Sequence, residues 1–129
     1  FDLKTFKNLL DGSEHYAITK GRFNPNKPSR VRVISTNILN SFFNFKKDIL
    51  KNSLRYLSKF NNFALILVKG SNSNTSSSES NKILRYYGIG AQIIKELNIK
   101  KMILVSRSKK RIIALRGYGI KITKQEIIK

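Results

Sequence analysis

The plainest pattern in the chain is the strict alternation of "SRVRVIS", residues 29 to 35, with Val31 and Val33 on one face and Arg30 and Arg32 on the other. A period of two predicts a half-buried strand. Residues 1 to 6 alternate as well, with Asp2 and Lys4 beside the apolar Phe1 and Leu3, and Asp11-Gly12 supplies a turn after them. A short helix through Leu9 and Leu10 competes with that reading. "HYAITKG" predicts a second short strand, closed by Gly21 or by the turn-rich "NPNKPS". From Asp48 to Phe60 the period changes: Leu50, Leu54 and Leu57 recur at helical spacing, with Lys47, Lys51, Arg55 and Lys59 mostly on other faces. "FALILV" then runs apolar without a break, as a buried central strand does.

Residues 70 to 81, "GSNSNTSSSESN", hold nothing to bury against the entropy of ordering, and predict a flexible loop. Beyond them "GAQIIKELN" predicts a helix, "KMILVS" a strand, "SKKRIIALRGYG" a helix closed by Gly117, and "IKITKQEI" a last strand. Glycines 88, 90, 117 and 119 are read as backbone devices, turns at positive φ and a close start to a helix. The order of elements predicts an α/β (α+β) fold, a mixed β-sheet flanked by helices. At 129 residues the chain is long enough for one core and too short for two, so 1–129 is expected to be a single domain. The sequence starts at Phe1 without methionine, on what reads as mid-domain sequence, so an upstream part is expected.

Charge changes the picture. Twenty-six Lys and Arg against seven Asp and Glu give a formal net charge of +19, which implies an anionic partner or surroundings. The plain alternative is compositional drift toward Lys, Asn and Ile. The chain has no cysteine, which excludes disulfides, thiolate metal sites and cysteine nucleophiles, and fits a reducing intracellular compartment. No apolar run approaches the roughly 20 residues of a membrane span, so no membrane partner is expected.

"LRYYGIGAQIIKELNIKKMILVSRSKKRIIALRGYGIKI", residues 84 to 122, resembles the C-terminal half of GTP cyclohydrolase II, the zinc enzyme that opens the guanine ring in riboflavin biosynthesis. The family's wording there is approximately LRDYGIGAQIL, a strand, TNNPKK, a helix, GYG and a strand. Upstream, "EHYAITKG" is similar to the family's EHxALVKG, and "RVRVISTN" stands where the family has VRVHSEC. The resemblance covers nearly the whole chain, and it implies that family's fold.

The functional residues that the resemblance implies are mostly replaced. The first zinc-binding Cys of the family falls at Asn37, and its RCDC pair falls in "NFKKDIL", which offers no thiolate. Asn and Lys cannot replace three soft anionic ligands, so no metal and no other cofactor is expected. His15, the sole histidine, reads as an ordinary surface or strand-end residue. Arg32 and Ser35 keep the types of the GTP-contacting segment, while Ile34 and Thr36 replace its His and Glu. After "ALILV" the family's RQEGR turn is replaced by Lys69, Gly70 and a run of Ser and Asn. Arg85 keeps the position of the family's nucleophilic Arg, but Ile83 takes that of its general-base Asp, and an isoleucine takes no proton. Ser106 stands for the Thr of TNNP and Arg111 for its second Lys, which leaves them as remnants of a phosphate contact. The plain reading of Arg85, Ser106 and Arg111 is as surface residues beside packing positions.

Two functions are therefore expected to compete. The first is a GTP cyclohydrolase II-like domain without catalysis, kept as a structural or regulatory module and fused to or associated with another riboflavin enzyme. The second is a repurposed basic domain that binds RNA or sits in a ribonucleoprotein assembly. Its candidate contacts are Arg107, Lys109, Lys110, Arg111 and Arg116, with Tyr86 and Tyr87 as stacking platforms. A homodimer is a third kind of partnership left open.

Overall fold

The computed structural model describes residues 1–7, 12–35, 43–68, 79–106 and 119–128, and for 35, 43–48 and 79–87 it gives the course of the backbone. Strands β1 (Asp2–Lys7), β2 (Glu14–Lys20), β3 (Ser29–Ser35), β4 (Phe63–Val68), β5 (Lys101–Ser106) and β6 (Lys121–Ile127) form one sheet in the order β1-β2-β4-β3-β5-β6. The β1/β2 and β2/β4 pairs are antiparallel, and the β4/β3, β3/β5 and β5/β6 pairs are parallel. Helix α1 (Phe43–Leu57) connects β3 to β4, and α2 (Glu79–Glu96) connects β4 to β5. The fold is the mixed α/β sheet with flanking helices that the sequence predicts.

Each helix covers a different face. On one side Ile93, Ile94 and Leu97 pack with Val31, Ala64, Ile66, Met102 and Leu104. On the other, Leu57 packs with Ile34, Phe63, Leu65 and Val105, and Leu50 and Leu54 close over them. The crossovers leave β3 in one direction and pass back over it in the other. Two right-handed connections running oppositely must place their helices on opposite faces, as these do.

The consequence for β3 corrects the half-buried reading. Val31 is fully buried, but Arg32 on the other face is only 6% exposed, and Ile34 beside it is buried too. A central parallel strand is covered on both sides, so Arg32 on the α1 face is out of water while Arg30, nearer the strand's start, keeps about a quarter of its side chain exposed.

Helix α2 begins at Glu79, ten residues and more before the helix expected at "GAQIIKELN", so residues 79–81 of the expected loop are helical. Residues 70–78, the helix expected at 108–117 and the Leu9–Leu10 alternative lie outside the described residues. Gly88 and Gly90 are therefore not turns. Gly90 sits where α2 crosses β3, and a Cβ added there would lie 3.2 Å from Val33 Cγ1. Glycine at this position sets how closely the helix approaches the strand. Gly119, by contrast, does take a positive φ of 75°. Helix α2 ends through Asn98, whose φ of 65° is left-handed, and Ile99 N–H donates back to the Ile94 carbonyl at 3.2 Å. That closure turns the buried Ile99 into the core just before β5.

Gly90→Val should lower stability by about 1–3 kcal/mol through overpacking, measured by urea unfolding. Adding Val33→Ala to that variant should recover part of the loss, because the smaller side chain clears the contact; no recovery would place the strain elsewhere.

Candidate functional site

Ligands of open α/β sheets bind beyond the carboxyl ends of the strands, where neighbouring crossovers leave in opposite directions. In this sheet that point is the end of β3, between β4 and β5. Ser35 pairs with Val68 there, and β5 closes on Ser106. The segments that follow all three strands, 36–42, 69–78 and 107–118, lie outside the described residues. With them go Thr36, Asn37, Lys69 and Gly70, and the expected contacts Arg107, Lys109, Lys110, Arg111 and Arg116.

The described members of the site are few. Arg32 lies on the α1 side of β3, opposite Leu65 of β4, with its side chain buried. Ser106 is 8% exposed, which corrects its reading as a surface residue, and its carbonyl accepts from Ile128 N–H at 2.9 Å. A buried strand end beside a crevice is well placed to position a ligand, but a remnant that is already packed also serves the sheet. Positions 83 and 85 fall within α2, more than a turn before Gly90.

His15 is not at the surface either. It is 2% exposed, and its Nε2 lies 2.8 Å from Ser13 Oγ in a shared hydrogen bond. Strand β2 runs antiparallel to β4, so His15, one residue before the Tyr16–Leu67 pair, reaches the same carboxyl edge. The strand order puts it three strand spacings from Ser106, roughly 14 Å. One metal ion could not bridge the two positions.

The best-defined polar cluster is one that sequence reasoning missed. Arg30 donates from Nε to Glu126 Oε1 at 2.8 Å and from its terminal nitrogen to Oε2 at 3.2 Å. Tyr56 on α1 donates its hydroxyl to the same Oε1 at 2.8 Å. The guanidinium lies 3.5 Å from the centroid of the Phe60 ring, and the rings of Tyr56 and Phe60 meet edge to face at 5.5 Å. One carboxylate thus ties β3, β6 and α1 together. A two-pronged Arg–carboxylate pair is the strong form of the interaction. The 3.7 Å contact from the exposed Lys124 adds little. The Arg30 hydrogen bond is the main reason the Glu126 carboxyl is held below its ordinary value; burial opposes it, and Tyr56 and the two cations assist. Burial, then the bond to Glu126, pushes the Tyr56 hydroxyl above its usual value. Every group here is engaged, so the cluster fastens the fold and offers no acid or base.

Glu126→Gln should destabilise the protein by about 1.5–3 kcal/mol at neutral pH, the range for hydrogen bonds to charged groups. Because the folded carboxyl titrates below the unfolded one, its contribution is complete above the unfolded value of 4.5 and is lost as pH falls through the folded value. Thermal unfolding of the two proteins should therefore converge in acid. A gap that persists at the lowest pH would assign the loss to packing.

Comparison with known proteins brings a family to this geometry. The family profile described as GTP cyclohydrolase II matches residues 49–126, from within α1 to the end of the sheet. The riboflavin biosynthesis protein RibBA of Aquifex aeolicus is 27% identical over all of this chain, which covers 38% of that protein. The monofunctional riboflavin biosynthesis protein RIBA 2, chloroplastic, of Arabidopsis thaliana is 28% identical over 95% of the chain and 30% of its own length. The 3,4-dihydroxy-2-butanone 4-phosphate synthase of Photobacterium phosphoreum is 28% identical over 95% and 38%. The chain thus spans 30–38% of the length of these three curated relatives.

Proposed function

The chain belongs to the GTP cyclohydrolase II family, and from that premise we propose that it keeps the family's scaffold without the hydrolysis, as a structural or regulatory module of riboflavin biosynthesis. The observation that carries the proposal is chemical. A mixed sheet with both faces packed is present, yet no thiolate exists anywhere in the sequence to hold a zinc ion. Zinc sites that activate water need three protein ligands of nitrogen, sulfur or carboxylate type around one open position. The sole imidazole is buried on β2 and already bonded to Ser13. The residues present do not fit the metal, and no step is derived through it.

The position of the general base supports the same reading. Ile83 occupies it, on α2, and no hydrocarbon can relay a proton. Loss at both places removes the activated water and the proton acceptor together. Association with another riboflavin enzyme is part of the proposal, because relatives of this chain carry the names of a riboflavin biosynthesis protein and of a dihydroxybutanone phosphate synthase and are far longer than the matched region.

The purified chain should contain no stoichiometric zinc and should release no formate from GTP, with or without added zinc. Elemental analysis and a formate assay check both. One zinc per chain, or zinc-dependent turnover, would overturn the proposal.

A further inference from the structure

From Ile49 to its end α1 carries no acidic residue, while Lys51 and Arg55 are both exposed and Lys59 follows one turn later, also exposed. A four-residue step puts Lys51 and Arg55 about 6 Å apart along the axis, and Lys59 follows in the turn after the helix, its ammonium 5.9 Å from the centroid of the Tyr56 ring. Beside these cations lies a groove of about 350 Å³ lined by Asn52, Arg55, Tyr56, Lys59, Ile127 and Ile128. Ile127 is 50% exposed, an apolar floor left open between cations. Among the described residues lining or adjoining the groove, the carboxylate is Glu126, already shared among Arg30, Tyr56 and Lys124.

We propose that this face of α1 and its groove bind a single-stranded nucleic acid, with phosphates along Lys51, Arg55 and Lys59 and bases against Tyr56 and the isoleucine floor. The charge complement is uneven: Lys51, Arg55 and Lys59 are exposed cations, Asp48 is the one acidic residue in the α1 sequence, and Glu126 is already bonded to Arg30 and Tyr56. A line of cations next to an aromatic ring and an apolar floor is how sequence-independent single-strand binders work, the cations tracking the backbone and the ring carrying the base. Asn52 adds an amide that can both donate to and accept from a base edge. An acidic peptide would use the cations but leave the aromatic and apolar floor without a purpose. An anionic bilayer would need apolar side chains that project, whereas these line a recess. The proposal does not rest on the loss of hydrolysis; zinc content and formate release are read separately from nucleic-acid binding.

The test is fluorescence anisotropy with a labelled oligouridylate of about 12 nucleotides, titrated at salt from roughly 50 to 200 mM. Each phosphate contact on a single strand contributes a slope of about −0.7 in log affinity against log salt. Lys51→Gln/Arg55→Gln/Lys59→Gln should therefore flatten the slope by about 2, and Arg55→Gln alone by about 0.7, both with an unchanged thermal midpoint. The control variant Lys95→Gln/Lys100→Gln/Lys121→Gln removes the same charge from exposed positions elsewhere and should leave the slope as it is. The proposal is overturned if the natural chain fails to bind at the lowest salt, or if the control flattens the slope as much as the α1 variant. It is equally overturned if phosphatidylserine vesicles or polyglutamate bind through the α1 residues and oligouridylate does not.

Discussion

The structure depends on burying β3 from both sides. A parallel strand cannot be joined to its neighbour by a tight turn, and the two crossovers among the described residues, β3 to β4 and β4 to β5, each bring a helix to one face. Because β4 and β5 lie on either side of β3, the two crossovers run in opposite directions and their helices fall on opposite faces. Everything else is conditioned by that placement. It demands Val31 and Ile34 on the two faces and a glycine where α2 crosses Val33. It also takes Arg32 and much of Arg30 out of water, where a cation is tolerated only when its charge is met. Glu126, ninety-six residues away in sequence from Arg30, meets it with both oxygens.

That arrangement explains which parts of the fold are readable from the residues alone. "FALILV" and "KMILVS" announce buried strands because a short apolar run at that length has few other uses, and both lie where expected. "SRVRVIS" gives its span correctly, yet its alternation is misleading: arginine at every second position looks like a wet face, and only the pairing of distant elements shows α1 lying over it. Gly88 and Gly90 mislead in the opposite way. Glycine usually breaks a helix, so α2 appears to start after them, but here a missing side chain is a packing requirement against Val33 and the helix runs through. His15 does stand at a strand end, but on the buried face of β2, and the alternation of "EHYAITK" puts it in line with Ala17 and Thr19, which are buried as well. The Arg30–Glu126–Tyr56 cluster left no local signal at all, since its members meet only when three elements assemble. Of the candidate site, the strand ends were legible from motif spacing, while the chemistry beyond them falls in segments outside the described residues.

The same division separates scaffold from chemistry. The residues that hold the sheet together are aliphatic and lie between the helices. The positions where the family places its thiolates are Asn37, outside the described residues, and the stretch 44–50 at the start of α1. Holding a metal and packing a core ask for different residue types. A chain can therefore lose a metal site and keep its fold, which is why membership of the family speaks to architecture and leaves activity to the residues.

The charge follows a different logic from the core. At +19 over 129 residues, like charges repel one another, and seven carboxylates cannot neutralise them. One of those seven is taken up inside the fold by Arg30, so it does nothing for the surface. Repulsion of this kind is relieved wherever an anion can sit between neighbouring cations, and relieved most where several cations stand in a row. Lys51 and Arg55 lie in the C-terminal half of α1 and Lys59 just beyond its end, where the helix dipole already favours positive charge. The dipole accounts for cations in the last turn. It does not account for Lys51 nearly two turns earlier, nor for an open apolar floor beside them. Those two features are what turn a surface that merely tolerates charge into one with the shape of a site.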